Sequence, residues 1–255
     1  MSRPRVANPF GLFSLVVLLA VAWPAAALAG AVQQLTTNDA SETGTDAAVD
    51  VSGNVHVVYE RSGSLYYRGR TGTTWGSEEL MAAAGTNPAV GAGASGVPQV
   101  AFLSGGGVWF TARVGGTWMA PVQIAVGSYV DMAVDANDVA HVVYLADTYG
   151  DGYRDINYTN NAGGAFPGSP IKIWNSWYYY DGGRSANYYF DFAPIIAVDA
   201  AGHYAIAYSF RWISGGPGWN DWGTSVHVYL SATDADFSNA GLYNAYSGHR
   251  EQRFR

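Results

Sequence analysis

One pattern recurs along this 255-residue chain and constrains the fold more than any other feature. Ala47-Ala48-Val49-Asp50 leads into Val55-His56-Val57-Val58-Tyr59, and Met132-Ala133-Val134-Asp135 into Ala140-His141-Val142-Val143-Tyr144. Ile196-Ala197-Val198-Asp199 leads in the same way into Tyr204-Ala205-Ile206-Ala207-Tyr208. A looser copy runs from Pro88-Ala89-Val90 to Pro98-Gln99-Val100-Ala101-Phe102. A third run follows each pair: Leu65-Tyr66-Tyr67, Val108-Trp109-Phe110, Ile156-Asn157-Tyr158 and Val226-His227-Val228-Tyr229. A fourth follows the first three, around Glu79-Leu80, Val122-Gln123-Ile124 and Ile171-Lys172-Ile173. Short runs of β-branched and aromatic residues between turn signals read as strands. The copies begin about 40 to 65 residues apart, the spacing of four-stranded blades. The expected fold is therefore all-β, a β-propeller with four recognisable four-stranded blades.

The turns agree. Between first and second strands stand Asp50-Val51-Ser52-Gly53-Asn54, Asp135-Ala136-Asn137-Asp138 and Asp199-Ala200-Ala201-Gly202. An aspartate caps such a turn through its side chain, and Gly or Asn accepts the left-handed backbone that a tight hairpin demands. Between third and fourth strands stand Gly72-Thr73-Thr74-Trp75 and Gly115-Gly116-Thr117-Trp118, with Gly163-Gly164-Ala165-Phe166 as a weaker copy. The large ring closing each turn is expected to wedge between adjacent blades.

These Gly-x-Thr-Trp turns, set among the Ala-Val-Asp and His-Val-Val-Tyr strands, resemble sialidase-like β-propellers with bacterial neuraminidase (BNR, Asp-box) repeats. The resemblance covers residues 31–235 and implies a propeller, with sialidase chemistry as one candidate activity. The boxes are degenerate: the family's Asp two residues before the Gly is replaced by Arg70, Arg113 and Asn161, and its Arg-Ile-Pro signature is absent. Residues 32–35, Val-Gln-Gln-Leu, read like a fourth strand able to complete the last blade. That would close a four-bladed ring; the alternative is a fragment of a larger propeller. Residues 248–255 look unlike any blade segment and read as an irregular tail beyond a propeller domain at 30–247.

Residues 1–29 have the layout of a signal peptide. Arg3 and Arg5 precede an apolar run over 10–22, and Ala27-Leu28-Ala29 offers a cleavage site. That run has 13 residues, fewer than the ~20 of a spanning helix. The expected destination is secreted, extracellular or periplasmic, with no membrane span after cleavage. Without Arg3 and Arg5, 11 of the 13 basic side chains remain against 20 acidic ones, a formal charge of −9. Such a surface argues against nucleic acid, whose binding rests on Lys and Arg neutralising phosphates. With no cysteine there is neither a disulfide framework nor a thiolate zinc site or nucleophile.

Long insertions at 146–155, 174–193 and 211–224 all fall at one end of the blades, where a rigid scaffold usually carries its site. They are rich in rings, and Trp177, Tyr179, Trp212, Trp219 and Trp222, with Arg184, are the candidate ligand-binding residues. Trp and Tyr can stack on sugar rings while their polar atoms reach hydroxyls; the alternative is that they pack on one another. In the first insertion Asp147, Asp151 and Asp155 recur every four residues around Gly152. They are the candidate metal ligands, with calcium as the candidate cofactor and a solvated acidic turn as the alternative.

Gly91-Ala92-Gly93-Ala94-Ser95-Gly96 spells a dinucleotide fingerprint but opens no helix. His56 and His141 recur at one repeat position, which points to blade packing. The function expected first is a non-catalytic binding module for carbohydrate. A sialidase-like glycoside hydrolase and an adhesion propeller binding an extracellular protein are the alternatives. Two well-placed carboxylates and an arginine cluster meeting at the central pit would favour the hydrolase.

Overall fold

The structure, a computed structural model, describes residues 32–37, 40–147, 150, 154–175, 177–181, 184–190, 194–216, 219–231 and 242–252. Four antiparallel sheets follow one another along the chain. The first blade comprises β1 (Glu42–Val49), β2 (Val55–Arg61) and β3 (Ser64–Thr71), with β4 (Thr74–Trp75) and β5 (Glu79–Ala82) sharing its outer position. The second repeats this plan with β6 (Thr86–Ala92), β7 (Pro98–Ser104), β8 (Gly107–Val114), β9 (Thr117–Trp118) and β10 (Val122–Val126). The third is β11 (Ser128–Val134), β12 (Ala140–Ala146), β13 (Asp155–Asn160) and β14 (Ile171–Asn175). A hairpin of β15 (Trp177–Asp181) and β16 (Arg184–Phe190) precedes the fourth blade. That blade is β17 (Ile195–Val198), β18 (Tyr204–Gly216), β19 (Trp219–Leu230) and β20 (Leu242–Gln252).

Period-two alternation explains why the second strands are buried on both faces. Along β12, Ala140, Val142 and Tyr144 pack with Ala89, Ala101 and Val108 of the second blade. Their neighbours Val143 and Leu145 pack with Ile196, Ile206 and Tyr208 of the fourth. A third cluster joins Val58, Leu65 and Tyr67 of the first blade to Val90, Val100 and Phe102 of the second. Among the described residues no such cluster joins the fourth blade to the first, and Ile195 on β17 is 61% exposed.

The predicted caps form: Asp50, Asp135 and Asp199 each accept two backbone N–H groups within their own turns, at 2.8–2.9 Å. Two of the expected wedges form, at Trp118 and Phe166. Trp118 meets Tyr67 of the preceding blade edge-on at 5.2 Å, and Phe166 meets Phe110 at 4.9 Å. Arg113, standing where an Asp-box carries aspartate, reaches across instead to pair with Glu79 at 2.8 Å. The glycine-rich 91–96 segment serves blade packing rather than phosphate. A side chain at Gly91 would collide with Val134, and one at Gly93 with the Asp135 carbonyl.

Three expectations are corrected. Residues 32–35 form no strand, and Val32 is fully exposed. The outer position they were expected to fill belongs to β20, paired with β19 from Leu242↔Tyr229 to Gln252↔Asn220. β20 runs through 248–252, so most of the stretch expected as an irregular tail is strand. The fourth strand escaped notice because Leu242 to Gln252 mixes charged and polar residues without clean alternation. The insertions at 174–193 and 211–224, read as loops, are strands that pair with each other. β16 adds to the far half of β18, whose near half pairs with β17. Together they lengthen the sheet of the fourth blade.

Candidate functional site

Each of the first three innermost strands breaks register near its start, at Thr43/Asp46, Thr86/Ala89 and Ser128/Val130. Gly44, Asn87 and Tyr129 occupy equivalent positions in these breaks, with φ of +50°, +47° and +53°. Such β-bulges re-aim side chains and favour the neighbourhood of active sites. Glycine takes this conformation freely and asparagine tolerably, but a tyrosine there is an outlier that costs about 1–3 kcal/mol.

The bulges surround a pit of about 260 Å³, lined by residues 44–46, 87–89 and 129–131 of three successive blades. It opens at the end that bears the insertions. Strand register makes Asp46, Ala89, Asp131 and Ile195 equivalent, since they face Val58, Ala101, Val143 and Ala207 of their second strands. Carboxylates therefore stand on alternate blades. Asp46 accepts the Val90 N–H at 2.7 Å, and Asp131 accepts the Ile196 N–H at 2.7 Å, so each ties its strand to the next blade. Burial raises the Asp131 pKa above the ordinary carboxylate value and the charge of Asp46 adds to this, against backbone hydrogen bonds from Ile196 and Met132. The pit thus pairs two carboxyl groups, able to accept bonds from hydroxyls and, at Asp131, to hold a proton to higher pH. At the rim the Arg154 guanidinium sits 5.6 Å from the Tyr129 ring centroid.

The residues picked out by sequence lie elsewhere. By register Trp177, Tyr179, Arg184, Trp212 and Trp219 share one face of the blade-four extension. Trp222 pairs with Ile213 and stands on the opposite face, so the six do not form one surface. Of the candidate calcium ligands, Asp155 is buried in β13 opposite Ala146, Asp147 is exposed just beyond β12, and Asp151 lies outside the described residues. Among the described residues no group of three His, Asp or Glu side chains gathers as metal ligands would.

Arg61 is held by Glu42 and Glu78, with its NH groups 2.7–3.0 Å from both carboxylates, an ordinary ion-pair network. His56 and His141 are buried and bond to the hydroxyls of Tyr67 and Tyr158 at 2.8 and 2.7 Å, the packing role expected of them.

Sequence reasoning missed Asp46, Asp131 and Tyr129. A signal existed: Asp46-Ala-Ala-Val-Asp50 and Asp131-Met-Ala-Val-Asp135 repeat an aspartate four residues upstream of the turn cap. The bulge that turns it to the axis is a backbone feature the pattern does not spell.

Comparison with known structures shows the fold class. The α-L-arabinanase of Penicillium chrysogenum, solved with arabinobiose, superposes with a TM-score of 0.50 at 13% identity, over 78% of this chain. The fold is a β-propeller. That enzyme's propeller is five-bladed, and this chain covers 65% of its length. A GH43_12 protein from the capybara gut metagenome aligns over 81% of this chain and 42% of its own, at 14% identity and a TM-score of 0.45. At 13% identity the likeness to the arabinanase is one of fold. No known protein family and no curated protein matches the sequence. Among the described residues no helix is long and apolar enough to cross a membrane.

Proposed function

We propose that this propeller recognises carbohydrate, taking one sugar unit into the axial pit while the glycan continues along the blade-four extension. The observation that carries this reading is the pairing of Asp46 and Asp131 across a pit of about 260 Å³ at the insertion-bearing end. That volume lies just below the range of drug-sized pockets and matches a single small polar unit. Two carboxylates without a facing arginine among the pit-lining residues favour a neutral sugar over sialic acid, whose own carboxylate they would repel. The arabinanase that shares the fold was solved with a neutral disaccharide, which makes arabinobiose the first probe. The shelf for further units is the face bearing Trp177, Tyr179, Arg184, Trp212 and Trp219. Export through residues 1–29 belongs to the same reading, and the mature protein should begin at Gly30.

Titration calorimetry with arabinobiose, xylobiose and cellobiose, backed by a broad glycan array, tests it. Binding that falls at least tenfold in Asp46→Ala or Asp131→Ala is expected. A parent protein that binds no glycan would overturn the reading.

The second reading is a glycoside hydrolase. Its support is that one carboxyl of the pair has its pKa pushed up while another stands near it, the division of labour that acid and base roles require. Release of reducing ends from arabinan, abolished by Asp131→Asn, would favour the enzyme over the binding module.

A further inference from the structure

We infer that Tyr129 is the pit's stacking platform, held toward its ligand by a strained backbone; this rests on the carbohydrate reading. The three bulges give an internal control. At one structural position the first blade has glycine, the second asparagine and the third tyrosine, all in the left-handed region. The bulge itself can therefore be made without an aromatic residue.

Packing does not account for the tyrosine either. It belongs to none of the buried clusters, it is 41% exposed, and its ring contact is with Arg154 at the rim. A large residue kept in an unfavourable conformation without burial marks a site where strain serves function. Its surroundings supply the remaining parts of a sugar site. Asp131 stands two residues along the same strand, Asp46 lines the same cavity, and Arg154 lies 5.6 Å from the ring centroid. A half-exposed phenol ring beside hydroxyl-binding carboxylates is the pairing of apolar body and polar contacts that sugar recognition needs.

Asn87 shows which substitution the backbone will accept, so Tyr129→Asn removes the ring without demanding a new conformation. Tyr129→Phe keeps the ring. Each variant and the parent are titrated with arabinobiose, xylobiose and cellobiose, and the thermal midpoint is recorded in parallel. Tyr129→Asn is expected to lose about tenfold in affinity while its midpoint holds or rises by a few degrees. Tyr129→Phe should bind within about twofold of the parent. Unchanged affinity in Tyr129→Asn overturns the inference and leaves the carbohydrate reading standing. A lower midpoint in that variant assigns Tyr129 to packing, and an equal loss in Tyr129→Phe assigns the contact to the hydroxyl. A parent that binds none of these sugars and nothing on a glycan array removes the reading on which the inference depends.

Discussion

The two ends of the innermost strands carry the same residue type to opposite purposes. At one end Asp50 caps its own turn. Burial works to raise its pKa, but hydrogen bonds from Asn54, Ser52 and His56 outweigh it and hold the carboxyl below the ordinary value. At the other end, on an equivalent strand, Asp131 faces the pit with its pKa raised by burial and by Asp46. The turn end is repeated with small variation: the Asp–His–Tyr tie at Asp50, His56 and Tyr67 recurs at Asp135, His141 and Tyr158. The pit end differs from blade to blade in its bulge residue and in the presence of a carboxylate. The repeated tie serves folding in the two blades that carry it, and the varied bulge residue marks what one site needs.

The largest expected effect breaks the turn end. Asp135→Ala removes the acceptor of the Asn137 and Val139 N–H groups and the carboxylate 3.6 Å from His141. Two hydrogen bonds to a charged group and a disturbed buried tie cost about 3 kcal/mol. For a chain of this size the thermal midpoint should fall by about 6–12 °C. Sugar affinity of the folded fraction should not change. A large loss of affinity at constant stability would erase the distinction between the ends.

Next in size is the pit. Asp46→Ala and Asp131→Ala should each lower affinity for the best-bound disaccharide at least tenfold, about 1.4 kcal/mol or more. Each also loses a hydrogen bond to the next blade, so the midpoint should move by only about 2–4 °C. Calorimetry and melting on the same samples measure both quantities.

The pH dependence sharpens the comparison, because the two carboxyl groups have shifts of opposite sign. Asp131 has a raised folded-state pKa, so between its unfolded and folded values the native state binds more protons and stability falls as pH rises. Asp131→Asn, which can still accept the Ile196 N–H, should therefore gain midpoint over the parent as pH climbs through that window. Asp50 is the reverse: its stabilisation is present above the unfolded value and is lost as pH falls through its depressed one. Asp50→Asn should thus be destabilised at neutral pH and converge on the parent in acid. Melting curves from pH 3 to 8 decide both, and parallel curves for the two variants would refute the assigned shifts.

How legible these ends were in the sequence differs for physical reasons. The turn end depends on local pattern: Asp followed by Gly, Asn or Asp at the left-handed position, with Gly53, Asp138 and Gly202 taking that conformation. The blades followed from alternating apolar residues that must be buried on both faces, and the ring wedges from Trp118 and Phe166. The pit depends on bulges, which shift a strand by a residue through backbone geometry, and on residues about 40 apart converging on an axis. Neither is written in any one segment. The extension was misread for a related reason. Its rings looked like loop decoration because β16 and the far half of β18 lie in different insertions and become a sheet only by pairing across them.

That extension yields the smallest effect and separates its two faces. Register places Trp219 on the face shared with Trp177, Tyr179, Arg184 and Trp212, and Trp222 on the other. Along β18 the first face continues that of Tyr204, Ile206 and Tyr208, which packs on the third blade. If it is the shelf for a longer glycan, Trp219→Ala should weaken a pentasaccharide about fivefold, ~1 kcal/mol for one stacked ring. It should leave a disaccharide confined to the pit unaffected, and Trp222→Ala should alter neither. If the face instead packs on as a continuation of the core, Trp219→Ala should melt early with both affinities intact. Titrating both variants with sugars of two and five units, beside their melting curves, distinguishes the outcomes. An equal loss in Trp219→Ala and Trp222→Ala would contradict the register itself, because residues on opposite faces of one sheet cannot line the same shelf.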